Sequence, residues 1–278
     1  MKLIAESSST RTEWAVVEGD SVIKRVFTEG INPFFQTRRE ISRSVRLNLP
    51  EEFFRKKFDC VHYYGAGCTS ADKKGIIEAS LVAQFKTPIE VESDLLAAAR
   101  GLFIHEPGIA CILGTGSNSC FYNGKEIEKN VRSGGYILGD EGSGAALGKL
   151  FLSDVLKGLA PQDLTELFYD TFRIEPSDAM ESVYSRPFPN RFLATISFFL
   201  SEHLENEYVN NLLVFNLKNF FERNIKQYNY HTYPIRLMGS TAVLHQVLIQ
   251  EIAKEYGAEV DQIVDSPMTG LVQYHSEL

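Results

Sequence analysis

The chain of 278 residues is poor in cysteine, with Cys60, Cys68, Cys111 and Cys120 alone, and it has a single tryptophan. No two cysteines form a CxxC pair, and no Cys/His cluster has zinc spacing. A disulfide framework and a sequence-encoded zinc knuckle are therefore excluded, and free, buried thiols in a reducing compartment are expected. Long apolar runs are missing too. Leu193–Leu200 is broken by Thr195 and Ser197, far short of the roughly 20 residues of a membrane span. Lys2 is followed by only three apolar residues, so no signal peptide is expected and a cytoplasmic location is. Positive charge is not in excess: 28 Lys and Arg stand against 36 Asp and Glu, a net charge of −8. That argues against a nucleic-acid binder. It leaves room for a phosphate site, since backbone amides and one divalent cation hold a nucleotide on an acidic protein. There is no GxSxG, no Walker A loop and no GxGxxG after the first strand. His105, His203, His231 and His245 lie at unrelated positions, so a catalytic triad has no support.

A last absence is local. In "AESSSTRTEW" (Ala5–Trp14), two short apolar runs are joined by an acid at the head, Glu6, three serines, two threonines and an arginine, then Glu13, with no glycine. The flanking segments read as strands, Leu3–Ala5 and Glu13–Glu18, and "EGDS" joins the latter to a third strand, Ser21–Phe27. A helix over Thr37–Leu49 follows. Next come a strand in "DCVHYYGAG", a helix over 71–85, a strand in "TPIEVESD", and a short helix "LLAAARGLF" closed by Gly101. From Gly108 the order begins again: "GIACILG" is a strand, and two more flank Asn123-Gly124. After a helical insertion at about 150–230, "YPIRLMG" is a strand, "STAVLHQVLIQEIAKEYG" a helix, "AEVDQIV" a strand and Pro267–His275 a closing helix. A repeat of a whole unit of three strands plus βαβα outweighs any single element. Apolar stripes in the insertion (Phe192, Ile196 and Phe199; Leu213, Leu217 and Phe220) read as core packing without chemistry. With no linker between the halves, they are expected to pack with a cleft between them.

Four motifs carry chemistry. "LGTGSNS" (Leu113–Ser119) stands in the second half where the serine-rich turn stands in the first. Each is a strand–turn–strand whose amides and hydroxyls converge, a nest suited to phosphate. Most such turns bind nothing, but a pair at equivalent places could clasp a polyphosphate. "SGGYILGDEGSGAALGK" (Ser133–Lys149) sets Asp140 and Glu141 among glycines that let backbone approach a ligand, which suggests sugar hydroxyls or a metal. Simple helix capping is the alternative. In "ESDLLAAARG" (Glu92–Gly101), Asp94 is either part of a helix cap or an acid at a strand end, where α/β proteins place chemistry. In "LMGSTAVLHQVL" (Leu237–Leu248), Gly239 and Ala242 leave room for a flat ring.

In this order, the motifs resemble the N-acetylglucosamine kinase family, within the BadF/BadG-type ATPases of the actin, heat-shock chaperone and sugar-kinase superfamily. The resemblance covers nearly the whole chain; "ILGTGSNS" and "LGDEGSGAALGK" are its specific parts. It implies an α/β fold of two ribonuclease-H-like (actin-like ATPase) domains with an interdomain cleft. These would span 1–105 and 106–265, with the helix at about 266–278 packing back on the first. It implies that Ser8, Ser9, Thr10 and Thr12 form the first phosphate loop, and Thr115, Gly116 and Ser117 the second. Gly239 and Ala242 match the adenosine motif, Asp94 the catalytic base, and Asn32 and Asp140 the sugar-binding pair. Gly135 lies in the segment bordering the sugar pocket. Glu6 matches an acid that holds Mg²⁺ through water. ATP and Mg²⁺ are the implied cofactors, a small sugar the partner, and a homodimer the assembly.

This chain departs from the family in two places. Relatives commonly carry glycine beside the acid of the first loop, where Ser7 and Ser8 stand here. Many read GGWGxLLGDEGSG, whereas this chain passes from Gly135 through Tyr136-Ile137-Leu138-Gly139, two residues shorter and without tryptophan. The expected function is an ATP-dependent kinase of an N-acetylated hexosamine, either N-acetylglucosamine or a relative such as N-acetylmuramate. One alternative is the ATPase activator of a radical dehydratase or reductase, which holds a [4Fe–4S] cluster between subunits. Another is a sugar- or nucleotide-sensing protein with little catalysis, motivated by serine at a place where positive φ would be strained.

Overall fold

The structure, a computed structural model, describes residues 1–277. Strands β1 (Lys2–Ser7), β2 (Arg11–Glu18) and β3 (Ser21–Glu29) form an antiparallel meander. Strands β4 (Val61–Gly65) and β5 (Ile89–Ser93) join it in parallel, giving the order β3-β2-β1-β4-β5. A second sheet holds β6 (Pro107–Leu113), β7 (Ser117–Asn123), β8 (Ile127–Val131), β9 (Ile235–Met238) and β10 (Val260–Val264). Its order, β10-β9-β6-β7-β8, repeats the first strand for strand. The duplicated α/β, ribonuclease-H-like architecture read from the sequence is therefore the observed one.

The first meander is followed by α1 (Arg38–Asn48), α2 (Glu51–Arg55), α3 (Ala71–Phe85) and α4 (Asp94–Phe103). Thr37 and Glu40 close α1 with a reciprocal capping box, which satisfies two amides that a helix start leaves over. After β8 come the short α5 (Gly135–Leu138) and then α6 (Gly144–Leu156). The insertion is α7 (Gln162–Phe172), α8 (Pro176–Tyr184), α9 (Pro189–Ser201) and α10 (Glu207–Arg223). The chain closes with α11 (Ser240–Leu244), α12 (Gln246–Glu255) and α13 (Met268–Ser276). Two compact units emerge. One comprises Met1–Ala110, Cys120–Lys129 and the segment from Ser266; the other comprises Cys111–Ser119 and Asn130–Asp265.

In the first unit β1 is buried on both faces. Leu3 and Ala5 join Trp14, Val16 and Tyr63 on one side, and Ile4 joins Ala15, Tyr64, Met268 and Leu271 on the other. Burial of each large side chain contributes about 1.5–3 kcal/mol. It also fixes the register, so that Glu6 must follow Ile4 to one face and Ser7 must follow Ala5 to the opposite one.

Two elements depart from the sequence reading. Gly101 does not close α4, which continues to Phe103 and ends at Ile104 with φ 58°. The glycine serves close approach instead. A Cβ at Gly270 would lie 1.8 Å from the Gly101 carbonyl oxygen, and one at Gly101 would lie 2.5 Å from Pro267 Cβ. α4 and α13 thus cross almost backbone to backbone. The single helix expected over 240–257 is two, broken at His245, whose φ/ψ of −115°/25° leaves the helical region.

Candidate functional site

Each unit carries its own set of the residues singled out above. In the first unit, the turn from β1 to β2 is held by Ser8. Its amide donates to the Arg11 carbonyl oxygen at 2.9 Å; its hydroxyl donates to the same oxygen at 3.1 Å and accepts from the Arg11 amide at 3.3 Å. The positive-φ non-glycine residues of the described chain are Lys86, Ile104, Asp140, Arg173 and Phe188, so neither Ser7 nor Ser8 is strained. The glycine that this turn lacks is supplied from the end of β3. Gly30 donates its amide to the Thr10 carbonyl oxygen at 3.1 Å, and a Cβ there would lie 2.6 Å from the Ser8 oxygen and 2.7 Å from that of Ser9. The carbonyls of the turn therefore face Gly30. Among the described residues the Ser9 amide has no partner, and the Ser9 and Thr10 side chains border solvent.

Thr12 does not join that surface. It is fully buried, its hydroxyl donating to the Glu29 carbonyl oxygen at 3.0 Å and lying 2.7 Å from Ser7 Oγ. Ser7 Oγ in turn accepts the Ile31 amide at 3.0 Å. The two hydroxyls tie the loop leading to Asn32 onto the sheet. Asn32 turns its Oδ1 onto the Phe34 amide at 2.9 Å, and Gly67 packs against that oxygen so closely that a Cβ would lie at 2.5 Å. The Asn32 side-chain NH₂ is left as the donor that points to no described residue.

Glu6 and Asp94 lie at the same end of the parallel strands. Ser7, Gly65 and Ser93 are in register across β1, β4 and β5, and chemistry in open α/β sheets gathers beyond such carboxyl ends. Glu6 is buried, faces Glu13 across β1 and β2, and is 5% exposed. Asp94 opens α4, with Ser93 as its cap and Oδ1 accepting the Leu95 amide at 2.9 Å. Burial pushes the Asp94 carboxyl up to about 6, against the pull of that amide. The Tyr63 hydroxyl senses both acids: burial first, then Cys68, Glu6 and Asp94, hold it well above the usual phenol range. Cys68 and Cys120 are buried thiols pushed by desolvation to about 12, and none of the four cysteines forms a disulfide.

In the second unit, the turn from β6 to β7 is braced from three sides. The Gly114 carbonyl oxygen accepts the Gly144 amide at 2.9 Å and the Thr241 hydroxyl at 3.0 Å, and the Thr115 oxygen accepts the Ala145 amide at 3.1 Å. Gly239, at φ 114°, presses so near that a Cβ would lie 2.5 Å from the Leu113 oxygen. Asp140 completes the brace, Oδ1 accepting the Ser117 amide at 3.3 Å. With its carbonyls drawn inward, the turn leaves the Thr115 and Gly116 amides without partners among the described residues. That is a nest for anionic oxygen.

Asp140 is itself held in the left-handed region at φ 57°, its amide donating to Ser133 and its carbonyl accepting from Ser143. Asp and Asn tolerate that conformation better than most residues. A Cβ at Gly116 would lie 3.0 Å from Asp140 Oδ2, so the glycine of one motif makes room for the acid of the other. Burial first, with Glu141 assisting, pushes the Asp140 carboxyl up to about 6; the Ser117 amide and Lys149 oppose it. Gly135, at φ 71°, has open space where a Cβ would be; its need is conformational. Ala242 is fully buried, so it belongs to the packing behind the turn.

Gly30 and Asn216 are supports of the two turns that none of the four motifs marks, and Thr241 acts as a brace rather than as part of a ring pocket. Asn216, on α10 and 2% exposed, accepts the Gly142 amide at 3.0 Å and donates to the Ser143 oxygen at 3.1 Å. The insertion thus does more than fill a core. A buried Asn at a position of an apolar stripe was the available signal.

No protein-family model matches the chain, and no curated protein matches it. Among solved structures, the chain is similar to a candidate N-acetylglucosamine kinase of Porphyromonas gingivalis, with 42% identity and a TM-score of 0.94 over 100% of this chain and 99% of that one. A second candidate N-acetylglucosamine kinase, from Chromobacterium violaceum, shares 16% identity with a TM-score of 0.72, over 98% of each chain. A ROK hexokinase of Thermus thermophilus shares 12% with a TM-score of 0.50, over 98% of this chain and 96% of that one. These last two bear on the fold alone.

Proposed function

The chain belongs to the N-acetylglucosamine kinase family, and from that premise we propose that it is an ATP-dependent sugar kinase acting on a hydroxyl of an N-acetylated hexosamine. The observation that carries the reading is Asp94, a carboxyl raised to about 6 at the end of β5. A sugar hydroxyl is a poor nucleophile at neutral pH. A base poised near the working pH is what proton removal during phosphoryl transfer requires.

In the first unit, Asp94 accepts the proton of the attacking hydroxyl, and the Asn32 amide donates to the sugar. The Ser9 amide and hydroxyl are the free donors of the first turn, and the exposed Thr10 hydroxyl, 3.5 Å from Ser8 Oγ, lies beside them. Glu6 is the donor with the right chemistry for Mg²⁺, a hard cation that prefers carboxylate and water oxygen. When bound, such a cation neutralises phosphate charge. In the second unit, the Thr115 and Gly116 amides receive phosphate oxygens. Asp140 has two uses: Oδ1 holds the turn through Ser117, and its remaining lone pairs accept sugar hydroxyls. Ser117, Gly239 and Ala242 shape the nest from behind. No cost in backbone strain accompanies the serine-rich first turn, so the motive for a sensor without catalysis falls away.

The test is direct detection of a phosphorylated sugar after incubation with Mg-ATP and N-acetylglucosamine, with Asp94→Asn as control. A phosphate ester formed by the wild type and not by the variant supports the reading. Equal product from both removes Asp94 from its role, and an iron-containing, oxygen-sensitive preparation without product points to the activator class.

A further inference from the structure

Cys60, His62 and Glu90 meet at the end of the first sheet opposite to Asp94. Cys60 directly precedes β4 and His62 is its second residue. Side chains two apart on an extended segment share a face, and the parallel register sets His62 beside Glu90. Their donor atoms, one sulfur, one ring nitrogen and one carboxylate oxygen, all lie within 4.8 Å of one another. His62 Nδ1 and Glu90 Oε2 are 2.8 Å apart.

We propose that Cys60, His62 and Glu90 form a binding site for a thiophilic divalent cation, Zn²⁺ by class, with water in the remaining position. Thiolate, imidazole and carboxylate are the three donors that zinc takes, and three protein ligands plus water is its open form. The site is built rather than accidental in its surroundings. The His62 ring is buried and stacked on His275 at 3.9 Å between centroids, which fixes its orientation as outer partners of metal-bound histidines do. His275 is itself buried, Nε2 on the Tyr64 hydroxyl at 2.9 Å, with Nδ1 lacking a hydrogen-bond partner among the described residues. Glu90 is open to solvent, its side chain 67% exposed, and gives the ion its entry. Lys2, whose Nζ donates to the His275 carbonyl oxygen, and Arg100, which donates to the Tyr64 hydroxyl, are cations nearby.

Desolvation lowers His62 below the usual imidazole value, against the pull of Glu90, and burial, then the Glu90 charge, raise the Cys60 thiol. On binding, the S–H proton passes to water, the sulfur–metal bond forms, and the His62 proton moves to Nε2 as Nδ1 exchanges Glu90 for the ion. No oxidation is involved. Along β4 the site lies three residues from the Gly65 end, about 10 Å at the rise of a strand, so it joins β4 to β5 without sharing the Asp94 carboxyl. The inference does not depend on the kinase reading.

Cobalt(II) titration of the full chain tests it. The expected result is about one equivalent of Co²⁺ bound with a near-ultraviolet thiolate-to-cobalt band, absent in Cys60→Ser and requiring roughly tenfold or more Co²⁺ in Glu90→Gln. Glu90→Gln changes an exposed side chain, so it reports even if Cys60→Ser folds poorly. Zn²⁺ should also shield Cys60, the one cysteine not buried, from maleimide in the wild type. No band at saturating Co²⁺, a band retained in Cys60→Ser, or equal shielding in Glu90→Gln would overturn the proposal.

Discussion

Asp140 Oδ1 accepts the amide of Ser117 at 3.3 Å, joining two motifs 23 residues apart in sequence. One loop supplies the nest and the other supplies the acid that keeps it open. The arrangement separates two roles of Asp140, shape and charge. Asp140→Asn keeps an acceptor for Ser117 and tolerates the left-handed backbone. Its melting temperature should stay near wild type while KM for the sugar rises. Asp140→Ala loses both and should cost about 1–3 kcal/mol of stability. Thermal melts of the two variants beside their KM values check the separation.

If Asp94 is the base proposed here, it sets the acid limb of activity: its folded pKa is raised to about 6, and the base form is the one that accepts the proton. Turnover should therefore be full above pH 7 and fall as pH drops through about 6. The same shift works against stability. A carboxyl that binds its proton more tightly when folded contributes stability below its unfolded pKa of about 3.9 and loses it as pH rises through 6. Asp94→Asn, which cannot ionise, should melt higher than wild type at pH 8 and nearly alike at pH 4, while turnover drops by roughly 10²–10⁴. Melting curves at the two pH values check the sign.

Ser8→Gly should not tighten ATP binding. The turn has no positive φ at Ser8 to relieve, and the substitution removes the hydroxyl that binds both the carbonyl and the amide of Arg11. Equal or weaker nucleotide affinity is expected, measured by calorimetry. Gly30→Ala should weaken it more, because a Cβ would meet the Ser8 and Ser9 backbone at 2.6–2.7 Å.

Asn216→Leu tests whether the insertion supports the site. It strands the Gly142 amide and the Ser143 carbonyl, two buried groups whose loss costs about 1–3 kcal/mol each. A fall in melting temperature with a raised sugar KM is expected. An unchanged KM would confine Asn216 to packing.

The repeat was legible because strand alternation and strand–turn spacing are local signals, and they recur in both halves. Helix 71–85 matches α3 end to end for the same reason: its cap and its stripe are both written nearby. What the sequence hides is every partner that arrives from afar. Gly30 lies 22 residues from the turn that it backs, Thr241 lies 127 from Gly114, and Gly270 explains Gly101 only once α13 is in place. Thr12 shows the converse. A hydroxyl beside a phosphate-type turn looked like a donor, but strand alternation sends it inward to Ser7 and Glu29. The serine-rich turn hides its partner in the same way: it avoids positive φ at Ser7 and Ser8, and the glycine packed against it, Gly30, stands on the neighbouring chain segment.

ADP release with Mg-ATP across hexoses, N-acetylhexosamines and N-acetylmuramate tests the central claim most directly. The prediction is that one N-acetylated hexosamine raises release far above the sugar-free rate in the wild type and not in Asp94→Asn. Release that no sugar raises above the Asp94→Asn level would contradict it.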